Sequence, residues 1–114
     1  MTNRMRRVNE AVREVLSEGL LELKDPRIGF VTLTAVETSS DLRQARVYVS
    51  VLGSEKRREH ALAGLRAAHG VLQRQVAREL RLKRTPQLTF EYDPSAERGV
   101  RMAQLIDELV PDDD

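Results

Sequence analysis

The chain lacks cysteine and tryptophan, and it has only two tyrosines and two phenylalanines. The absence of cysteine excludes a disulfide scaffold, a thiolate nucleophile and a cysteine-ligated zinc site. So few aromatic side chains cannot build an extended platform for base stacking. No apolar run approaches the roughly 20 residues that a membrane-spanning helix needs, and the N-terminus leads into charged residues rather than a signal peptide. We therefore expect a cytoplasmic protein without a membrane partner.

Motifs for catalysis are missing as well. The sequence contains no glycine-rich phosphate loop, no HExxH, no GxSxG and no dinucleotide-binding fingerprint. Neither of the two histidines, His60 and His69, has a nucleophile or a metal ligand nearby at helical spacing. We predict that the protein is not an enzyme and that it has no catalytic residues, no metal site, no cofactor and no small-molecule substrate.

What the chain does have is a segregation of charge. Its 114 residues carry a net charge of +1, but residues 1–84 hold 17 Lys and Arg against 10 Asp and Glu, whereas residues 85–114 hold 2 against 8. The basic part is suited to a polyanion. Arginine outnumbers lysine by 16 to 3, and its planar guanidinium fits phosphate, although genome composition alone also yields such a ratio.

The spacing of apolar residues predicts six elements, with turn residues and Pro26 and Pro86 as boundaries. In chain order they are a helix (3–23), a strand hairpin (30–36 and 45–51), two helices (from Ser54 to a break at 68–70, then on to Thr85) and a strand (88–92). This order predicts an α+β two-layer sandwich with the helices on one face of a three-stranded sheet. We predict a domain over residues 1–94, followed by a short helix and an acidic tail over residues 95–114.

A row of cations follows the predicted break. At about 100° per residue, Arg74, Arg78 and Arg81 lie on the side of the third helix opposite its apolar residues. We call the six cations between residues 66 and 84 the basic stripe: Arg66, Arg74, Arg78, Arg81, Lys83 and Arg84. Glu79 is the only acid in this range, so the stripe is suited to phosphates.

The first helix differs from the basic stripe in its acidic residues. Four glutamates repeat every four residues from Glu10 to Glu22, and Arg6 and Arg13 lie within one turn of Glu10. We expect these charges to pair with each other and those of the basic stripe to remain unpaired. Two other readings of the basic stripe stay open: a merely solvated face, and an adaptor surface for an acidic protein partner. Steep salt dependence would distinguish RNA binding from the adaptor.

Eight short motifs, in order and spread over nearly the whole chain, resemble those of bacterial ribosome-binding factor A. They are Asp25-Pro26-Arg27, Val31-Thr32 with Val36, Ser40-Asp41-Leu42, Ala45 to Ser50, Ala68-His69-Gly70, Arg84 to Phe90, Tyr92 to Ser95 and Gly99-Val100-Arg101. The resemblance implies a type II KH fold with a mixed sheet, in which a helix-kink-helix with Ala68-His69-Gly70 at the kink replaces the usual GxxG loop. The order is then α-β-β-α-kink-α-β.

The resemblance also implies a function. It implies a monomeric, non-enzymatic assembly factor that binds the free small ribosomal subunit and its rRNA near the decoding region and the 3′ end. The factor would promote late rRNA maturation, including 5′-end processing, and support growth in the cold. Our candidate RNA-binding residues are the basic stripe and Arg46. The family often has Arg three residues after the kink glycine, where this chain has Gln73, so Arg74 is the nearest candidate.

We further expect Gly70 to matter through its missing side chain. Either its backbone adopts a conformation that residues with a Cβ cannot adopt, or the missing side chain lets two helices approach closely. Gly70→Val would then damage folding and function, with His69→Ala mild by comparison. Tyr48 is the one aromatic residue that we expect to point out of the sheet.

Overall fold

The structure is a computed structural model that describes residues 3–95. Its elements follow the predicted order, with one short 3-10 helix added before the first strand. They are α1 (Asn3–Glu22), the 3-10 helix (Pro26–Ile28), β1 (Val31–Thr38), β2 (Gln44–Val51), α2 (Glu55–Ala67), α3 (His69–Leu80) and β3 (Gln87–Tyr92). The predicted C-terminal helix and acidic tail lie outside the described residues, apart from Ser95. Within residues 3–95, no helix combines the length and the apolar character needed to cross a bilayer.

The sheet is mixed and has β2 at its centre. β1 and β2 pair antiparallel, and β2 and β3 pair parallel. β1 carries a bulge between Leu33 and Ala35, which leaves Thr34 out of register. The Thr34 hydroxyl lies 2.7 Å from Oδ2 of Asp93, so the chain leaving β3 is tied to the far strand of the sheet.

The core lies between the helices and one face of the sheet. The alternation predicted for the strands is confirmed, since Ala45, Val47 and Val49 of β2 are fully buried, as are Leu88 and, nearly, Phe90 of β3. The helices meet them with their own buried apolar residues: Val12 and Leu16 of α1, Leu65 of α2, and Leu72 and Val76 of α3. The predicted α+β sandwich, with helices on one face of a three-stranded mixed sheet, is thereby confirmed.

Gly64 positions α2 by close approach to the 3-10 helix. It is buried, and a Cβ on it would lie 3.1 Å from Cγ1 of Ile28 and 3.3 Å from Oδ2 of Asp25. Asp25 caps the 3-10 helix by accepting a hydrogen bond from the Arg27 N–H, and its carboxylate also pairs with the Arg27 guanidinium at 2.6 Å. The Asp25-Pro26-Arg27 motif therefore forms the platform on which α2 rests.

Candidate nucleic-acid interface

The predicted break between the second and third helices is confirmed and falls on Ala68. Its backbone angles of φ −87° and ψ 2° interrupt the helix between Ala67 and His69. The Ala68 N–H still donates to the carbonyl of Gly64 at 3.0 Å, and the Ala68 carbonyl accepts from the N–H of Leu72 at 3.1 Å. The chain therefore turns without leaving these backbone groups unsatisfied.

The expectation about Gly70 is wrong. Gly70 lies exposed in the first turn of α3, and among the described glycines only Gly53 has a positive φ. A Cβ on Gly70 would meet only the Nη1 atom of Arg74, at an ordinary contact distance of 3.5 Å. The turn is made by Ala68 in a conformation that any L-residue can adopt, so no glycine is needed for it.

His69 and Gln73 attach the kink to the sheet. β3 is an edge strand, and the Gln73 amide donates to the carbonyl of Pro86 at 2.8 Å while accepting from the N–H of Leu88 at 3.0 Å. Nε2 of His69 lies 2.9 Å from the carbonyl oxygen of Leu88. These side chains cover edge groups that would otherwise be open to another strand. Both ends of the Gln73 amide are thus hydrogen-bonded within the fold.

The sequence analysis assigned no function to Gln73 and treated His69 only as part of the kink. The one sequence feature that could have indicated their joint role is their spacing, because two hydrogen-bonding side chains at i and i+4 lie on the same face of a helix. Which strand edge they would meet depends on the position of β3 in the sheet.

A groove of about 380 Å³ lies between the kink and β3. Leu88 and Phe90 line it, together with Arg66, His69, Thr89 and Glu91. The His69 ring meets Phe90 edge to face, with centroids 6.4 Å apart. Leu88 and Phe90 are almost wholly buried, so the open part of the groove is formed by polar side chains, among which Arg66 is the cation that can contact a phosphate.

The helical register of the basic stripe is confirmed for Arg74 and Arg78. Both are exposed on α3, whose inner face buries Leu72 and Val76. Arg81 differs, because α3 ends at Leu80 and Arg81 adopts the left-handed conformation with φ 46° and ψ 38°. The helical period therefore does not predict the direction of the Arg81 side chain. The left-handed turn ends the helix and lets Leu82 pack against the core.

The expected contrast in ion pairing between the two helices is wrong. Among residues 3–95, the ion pairs do not involve α1, so its glutamates and arginines are not paired as expected. The basic stripe forms no ion pair with the described residues either. What distinguishes the basic stripe is its composition, six cations against Glu79.

The cations of the basic stripe are not equivalent. Arg78 lines a small cleft between α3 and α1 together with Glu18, Glu22 and Glu79. Three carboxylates near one guanidinium reduce its attraction for a phosphate. Arg74 is exposed on α3 and does not line this cleft, so it is the more open contact.

Arg46 lies apart from the basic stripe, on the sheet face opposite the helices. Its Nε atom is 4.0 Å from Oε1 of Glu91. A hydrogen bond to the Tyr48 side chain, more than the nearby carboxylate of Glu91, raises the pKa of Arg46. The groove of about 510 Å³ beside Arg46 shares Thr89 and Glu91 with the kink groove, so the two grooves meet at β3. Tyr48 is half-buried on this outer face.

The described residues hold no group of three or more His, Cys, Asp or Glu that could bind a metal ion. The basic stripe itself presents guanidinium and ammonium groups beside the groove at the kink. Such groups bind phosphates and unpaired bases.

A family model described as ribosome-binding factor A matches residues 4–106. The chain is 46% identical over 113 residues to a ribosome-binding factor A of Aromatoleum aromaticum, covering 98% of this chain and 89% of the relative. It is 44% identical over 110 residues to that of Geobacter sulfurreducens, covering 96% and 93% of the two chains.

Structures of proteins named ribosome-binding factor A share the fold of this chain. The crystal structure of ribosome-binding factor A from Thermus thermophilus superposes with a TM-score of 0.70 at 32% identity, over 77% of this chain and 94% of that one. A homology model of the Thermus thermophilus factor, fitted into the cryo-electron microscopy map of a complex with the 30S subunit, superposes with a TM-score of 0.63 at 29% identity, over 84% of this chain and 98% of that one. These neighbours agree with the KH-like fold expected from the sequence.

Proposed function

Because the chain belongs to the ribosome-binding factor A family, we propose that it is an assembly factor that binds the free small ribosomal subunit and its rRNA. The contact surface is the basic stripe together with the kink groove. In this role the protein acts in the cytoplasm as a monomer, by binding and without catalysis. Its binding promotes late maturation of the small-subunit rRNA, including 5′-end processing, and supports growth in the cold.

One observation carries this proposal beyond family membership. Among the described residues the six cations of the basic stripe form no ion pair, and two of them, Arg66 and Arg74, flank a kink that His69 and Gln73 fix to the sheet. Cations without ion pairs on a helix pair of fixed position are suited to the phosphates of a folded RNA, because the backbone that carries them need not be reorganised on binding. The fitted 30S complex of the Thermus thermophilus factor supports the same partner.

Arg46 contributes to this surface from the other side of β3. Its pairing with Glu91 and its separation from the helices predict a weaker contribution than that of Arg74. The binding unit is residues 1–94, since the last strand of the sandwich ends at Tyr92.

Charge reversal tests the proposal. We expect that changing Arg74, Arg78 and Arg81 together to Glu abolishes co-sedimentation with free small subunits while changing the stability little, because exposed substitutions usually change it by less than about 0.5 kcal/mol each. The matched control reverses Arg6, Arg7 and Arg13 on α1, which are also exposed. This control should retain most of the binding.

Three outcomes would contradict the proposal. Unchanged co-sedimentation of the α3 variant would remove the basic stripe from the interface. Equal losses in both variants would indicate unspecific attraction between charges. Binding that tolerates high salt would favour the protein adaptor, because phosphate contacts release counterions and weaken steeply with salt.

A further inference from the structure

A second cationic surface lies at the other end of α2, and the candidate interface does not include it. Phe30, just before β1, is 49% exposed, and Leu52, just after β2, is 73% exposed. The Leu52 N–H donates to the Phe30 carbonyl at 3.3 Å, so the two side chains project from the same end of the sheet. The guanidinium carbon of Arg57 lies over the Phe30 ring, 4.6 Å from its centroid.

Gly53 and Ser54 hold Arg57 in this position. Gly53 has a φ of +124°, and a Cβ on it would lie 2.7 Å from Cδ of Arg57, so only glycine leaves room for the arginine stem. The Ser54 hydroxyl caps α2 by accepting a hydrogen bond from the Arg57 N–H at 3.2 Å. Ser54 therefore fixes the backbone of Arg57, and Gly53 leaves the space in which its side chain lies over Phe30.

The charge around this pair is positive. A cleft of about 410 Å³ is lined by Arg27, Phe30, Lys56, Arg57 and His60 with Pro26 and Ser54, and none of these residues is acidic. Arg27 is occupied by Asp25. Lys56 and Arg57 form no ion pair with any described residue, so both remain available to an anion.

We propose that Phe30 and Arg57 form a second RNA contact that takes one unpaired nucleotide. The base stacks on the Phe30–Arg57 pair, and its phosphate contacts Lys56 and Arg57. An exposed aromatic ring beside a planar guanidinium is the combination that holds unstacked bases, and the cations of a cleft whose lining carries no carboxylate can contact the phosphate of the same nucleotide. The inference rests on the proposed RNA-binding function but uses none of the residues of the basic stripe.

The position of this contact makes it separable from the candidate interface. Arg57 and Arg66 are nine residues apart on α2, about 14 Å along the helix axis. The α3 charge-reversal variant, which leaves Phe30 and Arg57 untouched, can therefore separate the Phe30 contact from the basic stripe.

The test uses the absence of tryptophan from the chain. Phe30→Trp introduces the only indole, at a position exposed enough to accept it. We expect single-stranded oligouridylate of about six nucleotides, a length within the usual site size of such surfaces, to quench the fluorescence of this residue. In the same background, Arg57→Lys keeps the charge but removes the planar group, and it should weaken the binding at least about fivefold.

Arg58→Lys is the matched control. Arg58 also lies over an aromatic ring, that of Tyr92 at 4.2 Å, but on the side of α2 that packs against β3. This variant should leave the quenching unchanged. The α3 charge-reversal variant, also carrying Phe30→Trp, should retain quenching by the short oligonucleotide although it loses the subunit.

The failures of the two proposals are distinguishable. Absent quenching, equal quenching by a duplex of the same length, or quenching by an oligoglutamate peptide instead of RNA would each overturn the Phe30 contact. None of these outcomes would affect subunit binding that depends on the basic stripe. If reversal of the basic stripe leaves subunit binding unchanged, the proposed interface fails even where quenching is observed.

Discussion

Nε2 of His69 lies 2.9 Å from the carbonyl oxygen of Leu88, and this contact joins the helix kink to the edge of the sheet. Gln73, one turn later, donates to the Pro86 carbonyl and accepts from the Leu88 N–H, the backbone groups on either side of Gln87. Together they fix α3 relative to β3. The cations that flank the kink, Arg66 and Arg74, thereby acquire a defined spacing around the groove.

Removing these contacts should destabilise the fold. Gln73→Ala leaves the Leu88 N–H and the Pro86 carbonyl without partners, so we expect a loss of about 1–3 kcal/mol in the free energy of unfolding. His69→Ala should also lower it, by more than the mild effect expected from the sequence. Urea unfolding measures both changes. Gln87→Ala, which removes an exposed amide that reaches only His69, is the control, and losses no larger than its own would contradict the prediction.

Two helix glycines should respond in opposite directions to the same substitution. Gly70→Ala should stabilise the protein by about 0.5–1 kcal/mol, because the site is open and alanine favours helix. Gly64→Ala should destabilise it by about 1 kcal/mol, because overpacking against Ile28 outweighs the same helical gain. Thermal unfolding of the two variants checks the prediction. A destabilised Gly70→Ala variant would restore a special role for this glycine at the kink.

Arg74 should contribute more to RNA binding than Arg78. Arg78 shares a cleft with Glu18, Glu22 and Glu79, which compensate part of its charge. We expect Arg74→Gln to lower subunit affinity more than Arg78→Gln, and to reduce the slope of log affinity against log salt by about 1. Affinity measured at several salt concentrations gives both quantities. The reverse ranking would show that the acidic cleft opens when RNA binds.

The Asp25–Arg27 pair should make stability depend on pH in the acid range. The hydrogen bond from the Arg27 side chain, followed by that from its backbone N–H, holds the pKa of Asp25 below its ordinary value of 3.8. Because the folded-state pKa is depressed, the stabilisation is present above that ordinary value and is lost as the pH falls through the folded-state pKa. Asp25→Asn should therefore be less stable than the parent at pH 7. Urea midpoints of the parent and the variant, measured at pH 7 and under strongly acidic conditions, test this prediction. A difference in stability that persists undiminished in acid would exclude the Asp25 carboxylate as the source of that difference.

Truncation after Asp107 tests whether folding and RNA binding can dispense with the acidic end of the chain. It removes four carboxylates, those of Glu108, Asp112, Asp113 and Asp114, which would repel phosphates. We expect a folded chain with modestly tighter unspecific RNA binding at low salt. Thermal unfolding and RNA affinity at two salt concentrations are the measurements. Weaker RNA binding at unaltered stability would show that the removed segment takes part in recognition.

Several features of the candidate site could be read from the sequence. The break near residue 68, the outward direction of Arg74 and Arg78, and the buried faces of β2 and β3 all follow from the spacing of apolar residues. Such spacing is local: it determines which face of an element is apolar before any partner is known. The order and type of the elements, and with them the sandwich, were predictable for the same reason.

The tertiary structure alone decided what depends on contacts between distant residues. Both Gly64 and Gly70 lie in helices, but only Gly64 closely faces side chains of another segment, those of residues 25–28. The left-handed turn at Arg81 reflects the packing of Leu82 against the core. Gln73 meets β3, and Arg57 meets Phe30, because β3 lies at the edge and α2 starts beside β1. Periodicity carries no information about these pairings, since they are set by how complete elements pack.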